Sequence, residues 1–71
     1  MMRDKGIQKE GVVEEALPGL LFRVKLNGDK EVLAHLAGKM KIHYIRVIPG
    51  DRVIVEMPNL EDKRGRIVRR L

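Results

Sequence analysis

The chain has 71 residues, with 15 Lys and Arg against 10 Asp and Glu, a net charge of +5 and an apolar share of 44%. That length predicts one small domain, residues 1–71, with room for a binding face but hardly for a walled substrate cleft. There is no cysteine, which excludes disulfides and thiolate metal sites and suits a reducing cytoplasm; apolar runs no longer than Leu20-Leu21-Phe22 predict neither a membrane span nor a signal-peptide core.

The polar start, residues 1–6, is expected to fray. Ile7 to Leu17 predicts a long first strand in which Gly11 marks a bulge or bend. Glu14 and Glu15 are adjacent there, so strand alternation sends them to opposite faces and rules out a carboxylate dyad. Leu20 to Leu26 alternates, with Phe22, Val24 and Leu26 on one face and Arg23 and Lys25 on the other. Lys30 to Leu36 does the same, with Val32, Ala34 and Leu36 set against Glu31, Leu33 and His35. A two-residue loop at Asn27-Gly28 would put Val24 opposite Glu31. A three-residue loop, Asn27 to Asp29, instead pairs Leu26 with Lys30, Lys25 with Glu31, Val24 with Val32 and Phe22 with Ala34, which keeps apolar opposite apolar. The three-residue loop is therefore expected, with Phe22 inside and Arg23, Lys25, Leu33 and His35 outside.

From Gly38 to Arg46 the alternation stops. Lys39, His43 and Arg46 are spaced to share one side of a short helix, with Met40 and Tyr44 beside them as anchors. Asp51 forms a turn with Pro49-Gly50. A fourth strand follows, Arg52 to Met57, with Val53, Val55 and Met57 inward; Gly65 to Leu71 is the fifth. Five strands with a short helix between the third and fourth is the order of an all-β OB barrel, whose face on strands 2 and 3 binds oligonucleotides.

Residues 1–35 hold six bases and six acids, whereas residues 36–71 hold nine bases and four acids. All the excess charge therefore lies late in the chain, and a one-sided basic surface suits a polyanion, nucleic acid above all. The candidate RNA contacts are Lys63, Arg64, Arg66, Arg69 and Arg70 near the end, Lys39, Met40, Lys41, His43, Tyr44 and Arg46 around the helix, and Arg23, Lys25 and His35 on the hairpin. Gly65 would let the backbone approach another chain. His35 and His43 lack metal-ligand spacing, and no serine or cysteine nucleophile occurs. No metal, cofactor or enzymatic activity is expected, and His35 suits hydrogen bonding to a base or 2′-OH.

The run Gly38-Lys39-Met40-Lys41-Ile42-His43-Tyr44-Ile45-Arg46-Val47-Ile48-Pro49-Gly50-Asp51 resembles the central signature of the bacterial translation initiation factor one family. Glu10-Gly11-Val12-Val13, Phe22-Arg23-Val24-Lys25-Leu26, Ala34-His35-Leu36 and Gly65-Arg66-Ile67-Val68 fit the same pattern, in order, over about residues 7–70. The resemblance implies an S1-type OB fold and a cytoplasmic, non-enzymatic factor. It also implies binding to the small ribosomal subunit at the decoding (A) site, through ribosomal RNA and a neighbouring ribosomal protein, together with the other initiation factors. Two departures stand out. The loop that usually reads Thr-Pro-Tyr-Asp is here Met57-Pro58-Asn59-Leu60-Glu61, without its ring. Arg23 takes the place of the surface phenylalanine of S1 domains, and a guanidinium there can both stack and bind phosphate. Asp62, four residues before Arg66, resembles an S1 acid–base pair that would position Arg66.

Two rival readings share the charge pattern. One is a general single-strand RNA binder or chaperone of the cold-shock kind, which would stack bases on several rings; this chain has one Phe and one Tyr. The other is a protein-binding barrel adaptor whose basic face takes an acidic partner. In every case the free chain is expected to be a monomer with no membrane contact.

Overall fold

The computed structural model describes residues 6–43, 46–59 and 62–71. It is a closed barrel of strand order β1-β2-β3-β5-β4, formed by β1 (Ile7–Leu17), β2 (Leu21–Leu26), β3 (Glu31–Leu36), β4 (Arg52–Met57) and β5 (Arg64–Arg70), with α1 (Gly38–Ile42) between β3 and β4. The five-stranded OB barrel expected from the order of the elements is the fold found.

Closure depends on β1. Its 11 residues give about 36 Å of extended chain, enough to serve two neighbours. Residues Ile7 to Val12 pair with β4 and Gly11 to Leu17 pair with β2. The register shift expected near Gly11 falls instead between Val13 and Glu15. Gly11 lies where the two ladders overlap, and a Cβ there would stand 2.7 Å from Val24 Cγ1 and 2.8 Å from Leu26 Cδ2. The glycine admits close packing where β1 passes between ladders. The bulge also breaks the parity argument for the acids, since Glu14 and Glu15 are both exposed.

The hairpin has the register that parity demands. Lys25 faces Glu31, Val24 faces Val32 and Phe22 faces Ala34, with Leu26 N–H donating to Lys30 O at 2.7 Å across the three-residue loop Asn27–Asp29, in which Gly28 takes the left-handed φ of 81°. Inward residues of all five strands form one core: Val13, Phe22, Val24, Val32, Ala34, Val53, Val55, Met57 and Ile67 are all buried. β2 starts one residue later than the alternation suggested, because Pro18-Gly19-Leu20 forms the turn. Of the start expected to fray, residues 1–5 lie outside the described residues, and Gly6 is half-buried.

α1 is shorter than the spacing predicted. It ends at Ile42 with His43 as C-cap, so Arg46 lies beyond it. Tyr44, proposed as a second anchor, lies outside the described residues. Met40 is 1% exposed and packs into the core, which makes it the anchor of the helix and removes it from the accessible contact surface. Asp51 closes the next turn as expected, its Oδ2 accepting from Ile48 N–H at 3.0 Å. No helix among the described residues is long and apolar enough to cross a membrane.

Candidate nucleic-acid interface

Strand pairing places the outward side chains of four strands in two rows. Arg23, Leu33 and Arg64 stand side by side on β2, β3 and β5. One step along, Leu21, His35, Arg66 and Glu56 run across β2, β3, β5 and β4. The parallel β3–β5 ladder is what unites the hairpin with the late basic strand. Most of these side chains, Leu21, Leu33, His35, Arg64, Arg66 and Glu56, line a shallow depression of about 1090 Å³. Leu33 is 36% exposed, so the recess offers apolar surface between cations, which suits the face of an unstacked base flanked by phosphates.

Among the described residues, three arginines are already held by acids: Arg23 by Glu15, Arg52 by Glu10 at 2.8 Å and Arg66 by Glu56 at 2.5 Å. The partner of Arg66 is thus Glu56 on the adjacent strand, not Asp62. Asp62 Oδ1 instead accepts from the Arg64 backbone N–H at 3.2 Å, ordering the turn that leads into β5. A residue in the neighbouring strand directly opposite is closer than one across a turn, and sequence spacing does not reveal it. Gly65, between Arg64 and Arg66, does permit a close approach, but inside the barrel: a Cβ would lie 2.6 Å from Val55 Cγ1.

A second recess of about 390 Å³ lies between α1 and the end of β5 and is lined by Lys39, His43, Arg69 and Arg70, with Met40 and Val68 beneath. A β-bulge creates it. Val55 pairs with Ile67 but Ile54 pairs with Arg69, so Val68 is the extra residue, and it packs partly against the core. Beyond the bulge Arg70 stands opposite the fully buried Val53 and therefore starts from the inner side of the barrel mouth. Its Nη1 donates to the Arg46 carbonyl at 2.9 Å, tying the strand end to the segment after α1.

The remaining candidates are distributed around these recesses. Lys41, Arg46 and Lys63 are exposed, as is Lys25 opposite Glu31. Among the described residues, Lys39, Lys41, Arg46, Lys63, Arg64 and Arg69 carry no carboxylate partner. Tyr44 and the Leu60-Glu61 pair of the altered loop lie outside the described residues. Sequence reasoning missed Leu21 and Glu56 as lining residues. Alternation about Val53, Val55 and Met57 already pointed Glu56 outward, and only the strand order put it beside Arg66.

Residues 1–71 match the family model for translation initiation factor 1A / IF-1. The fold is similar to the solution structure of a translation initiation factor of the IF-1 kind from the Wolbachia endosymbiont strain TRS of Brugia malayi. That match has a TM-score of 0.75 and 47% identity, covering 92% of this chain and 77% of that one. The crystal structure of YjeQ from Thermotoga maritima is also similar, with a TM-score of 0.73 and 23% identity over 92% of this chain and 23% of that one. At that identity the second likeness concerns the barrel alone.

Proposed function

The chain belongs to the translation initiation factor 1A / IF-1 family, and from that premise we propose that it binds the small ribosomal subunit at the decoding (A) site through ribosomal RNA. It acts there with the other initiation factors and touches a neighbouring ribosomal protein. It works by occupying a site and not by catalysis, as a monomer when free, in the cytoplasm. The observation that carries this reading is the set of cations without carboxylate partners among the described residues, of which Arg64 lines one recess of the closed barrel and Lys39 and Arg69 line the other. Lys39, Lys41, Arg46, Lys63, Arg64, Arg69 and Arg70 supply phosphate contacts, each releasing counterions. Arg23, Lys25, His35 and Arg66 meet sugars, bases and phosphates across the hairpin face, while His43 lines the smaller recess and Tyr44 adds a ring after the helix.

The cold-shock alternative needs several exposed rings. Phe22 is 5% exposed, which leaves Tyr44 as the chain's one other aromatic residue. Comparable affinity for unstructured oligonucleotides and for assembled subunits would favour that alternative.

RNA footprinting on small subunits with wild type and Arg46→Ala tests the proposal. Arg70 grips the backbone carbonyl of Arg46, so the substitution removes a guanidinium and leaves that tie in place. Protection is expected to be confined to the decoding region and weakened by about tenfold in affinity, the scale of one charge-assisted hydrogen bond. Protection spread over the subunit, or equal binding to large subunits, overturns it.

A further inference from the structure

We propose that Glu56 is a positioning and selectivity residue: it holds Arg66 against the barrel, so that Arg66 serves RNA docked on the strand face and resists capture by an arbitrary polyanion. The inference rests on the reading of that face as an RNA interface. Glu56 stands directly opposite Arg66 in the β4–β5 ladder, and its Oε1 accepts from Nη2 at 2.5 Å. The Glu56 side chain is 16% exposed and that of Arg66 51%, so the acid lies beneath and the base above. Gly65 keeps the two strands close at this point, since a Cβ there would lie 3.0 Å from Glu56 O. Arg64, two residues away on the same face, has no carboxylate partner among the described residues. The two arginines of one strand therefore present different electrostatics to one recess.

A guanidinium has five N–H donors, and the contact with Glu56 uses one of them, so the others remain for a ligand. Its orientation is set before RNA arrives, which lowers the ordering cost of binding. The same carboxylate repels a phosphate that approaches Arg66, and because Glu56 is partly buried, salt screens that repulsion less than it would between exposed charges. An unstructured strand meets a half-neutralised cation. RNA that also covers Leu21, Leu33 and His35 gains oriented donors and further contacts that offset the repulsion.

The test is a double-mutant cycle of wild type, Glu56→Gln, Arg66→Gln and the double variant, read by fluorescence anisotropy with a short oligouridine and with small ribosomal subunits over a salt series. Gln keeps the shape of Glu and still accepts a hydrogen bond, and thermal melts check that every variant folds. Glu56→Gln is expected to raise oligouridine affinity about threefold to tenfold at low salt and to steepen its log–log salt slope by about 0.7. Subunit affinity should change less, and the effect should vanish in the Arg66→Gln background. An unchanged oligouridine affinity, the same gain without Arg66, or no oligouridine binding by any variant overturns the proposal. Loss of subunit preference by the wild type would instead count against the proposed function, with the oligouridine comparison still reading Glu56.

Discussion

Leu20 holds a φ of 58°, in the left-handed region where a Cβ crowds the backbone and the penalty is about 1 kcal/mol. Its side chain is 51% exposed, so burial gives little in return. The strain follows from the turn: Pro18 and Gly19 reverse the chain between β1 and β2, and Leu20 must enter β2 with Leu21 already opposite Leu17. Asn tolerates that conformation better, because its short polar side chain bonds locally. Leu20→Asn is expected to stabilise the fold by about 0.5–1 kcal/mol, raising Tm by roughly 2–8 °C for a domain of this size. A melt with unchanged or lower Tm would show that Leu20 contributes packing that its exposure conceals.

At the scale of elements, α1 depends on its anchor. It has five residues and no side-chain cap, far below the length at which a helix persists in water by propensity alone. Met40, buried beneath it, supplies what local preference does not. Met40→Ala is expected to destabilise by about 2–4 kcal/mol and Met40→Leu by under about 1.5 kcal/mol. Amide exchange at Lys41 and His43, whose N–H groups bond back to Ala37 and Lys39, should accelerate more in Met40→Ala than exchange at Ala37, which donates to Ile67. Uniform acceleration would mean that the helix and barrel open together. The strands were legible where their ladders are regular: β1 and β4 have the bounds that alternation assigns, and the hairpin register follows from keeping Val24 opposite Val32. Legibility failed at the two bulges. An extra residue at Glu14 exposes two adjacent acids, and one at Val68 brings the exposed Arg70 to the side from which it bonds the Arg46 carbonyl. No period of two contains that information, because a bulge is a compromise between neighbouring strands. The partner of Arg66 escaped for the same reason, being set by which strand lies alongside β5.

At the scale of the whole molecule, the closed barrel holds two cationic recesses apart on one strand. Arg64 pairs with Leu33 of β3 and Arg69 with Ile54 of β4, so both ends of β5 are fixed by ladders. They stand five positions apart, about 17 Å along the strand, within a body of 36 × 30 × 21 Å. Phosphates gripped at the two ends are thus distinct, and substitutions that far apart with no shared partner should act independently. Arg64→Ala and Arg69→Ala are each expected to weaken small-subunit binding about fivefold to tenfold and to reduce the log–log salt slope by about 0.7–0.9. The double variant should lose the product of the two factors within about twofold. A frayed basic end would behave differently, because neighbouring lysines and arginines would substitute for the missing charge and Arg69→Ala would be nearly silent. A silent Arg69→Ala, or a double variant no weaker than Arg64→Ala alone, would therefore reduce the interface to the strand face. Independent losses at both ends would instead make the bulge at Val68 a functional device, since it builds the second recess and divides the charge of β5 between the two.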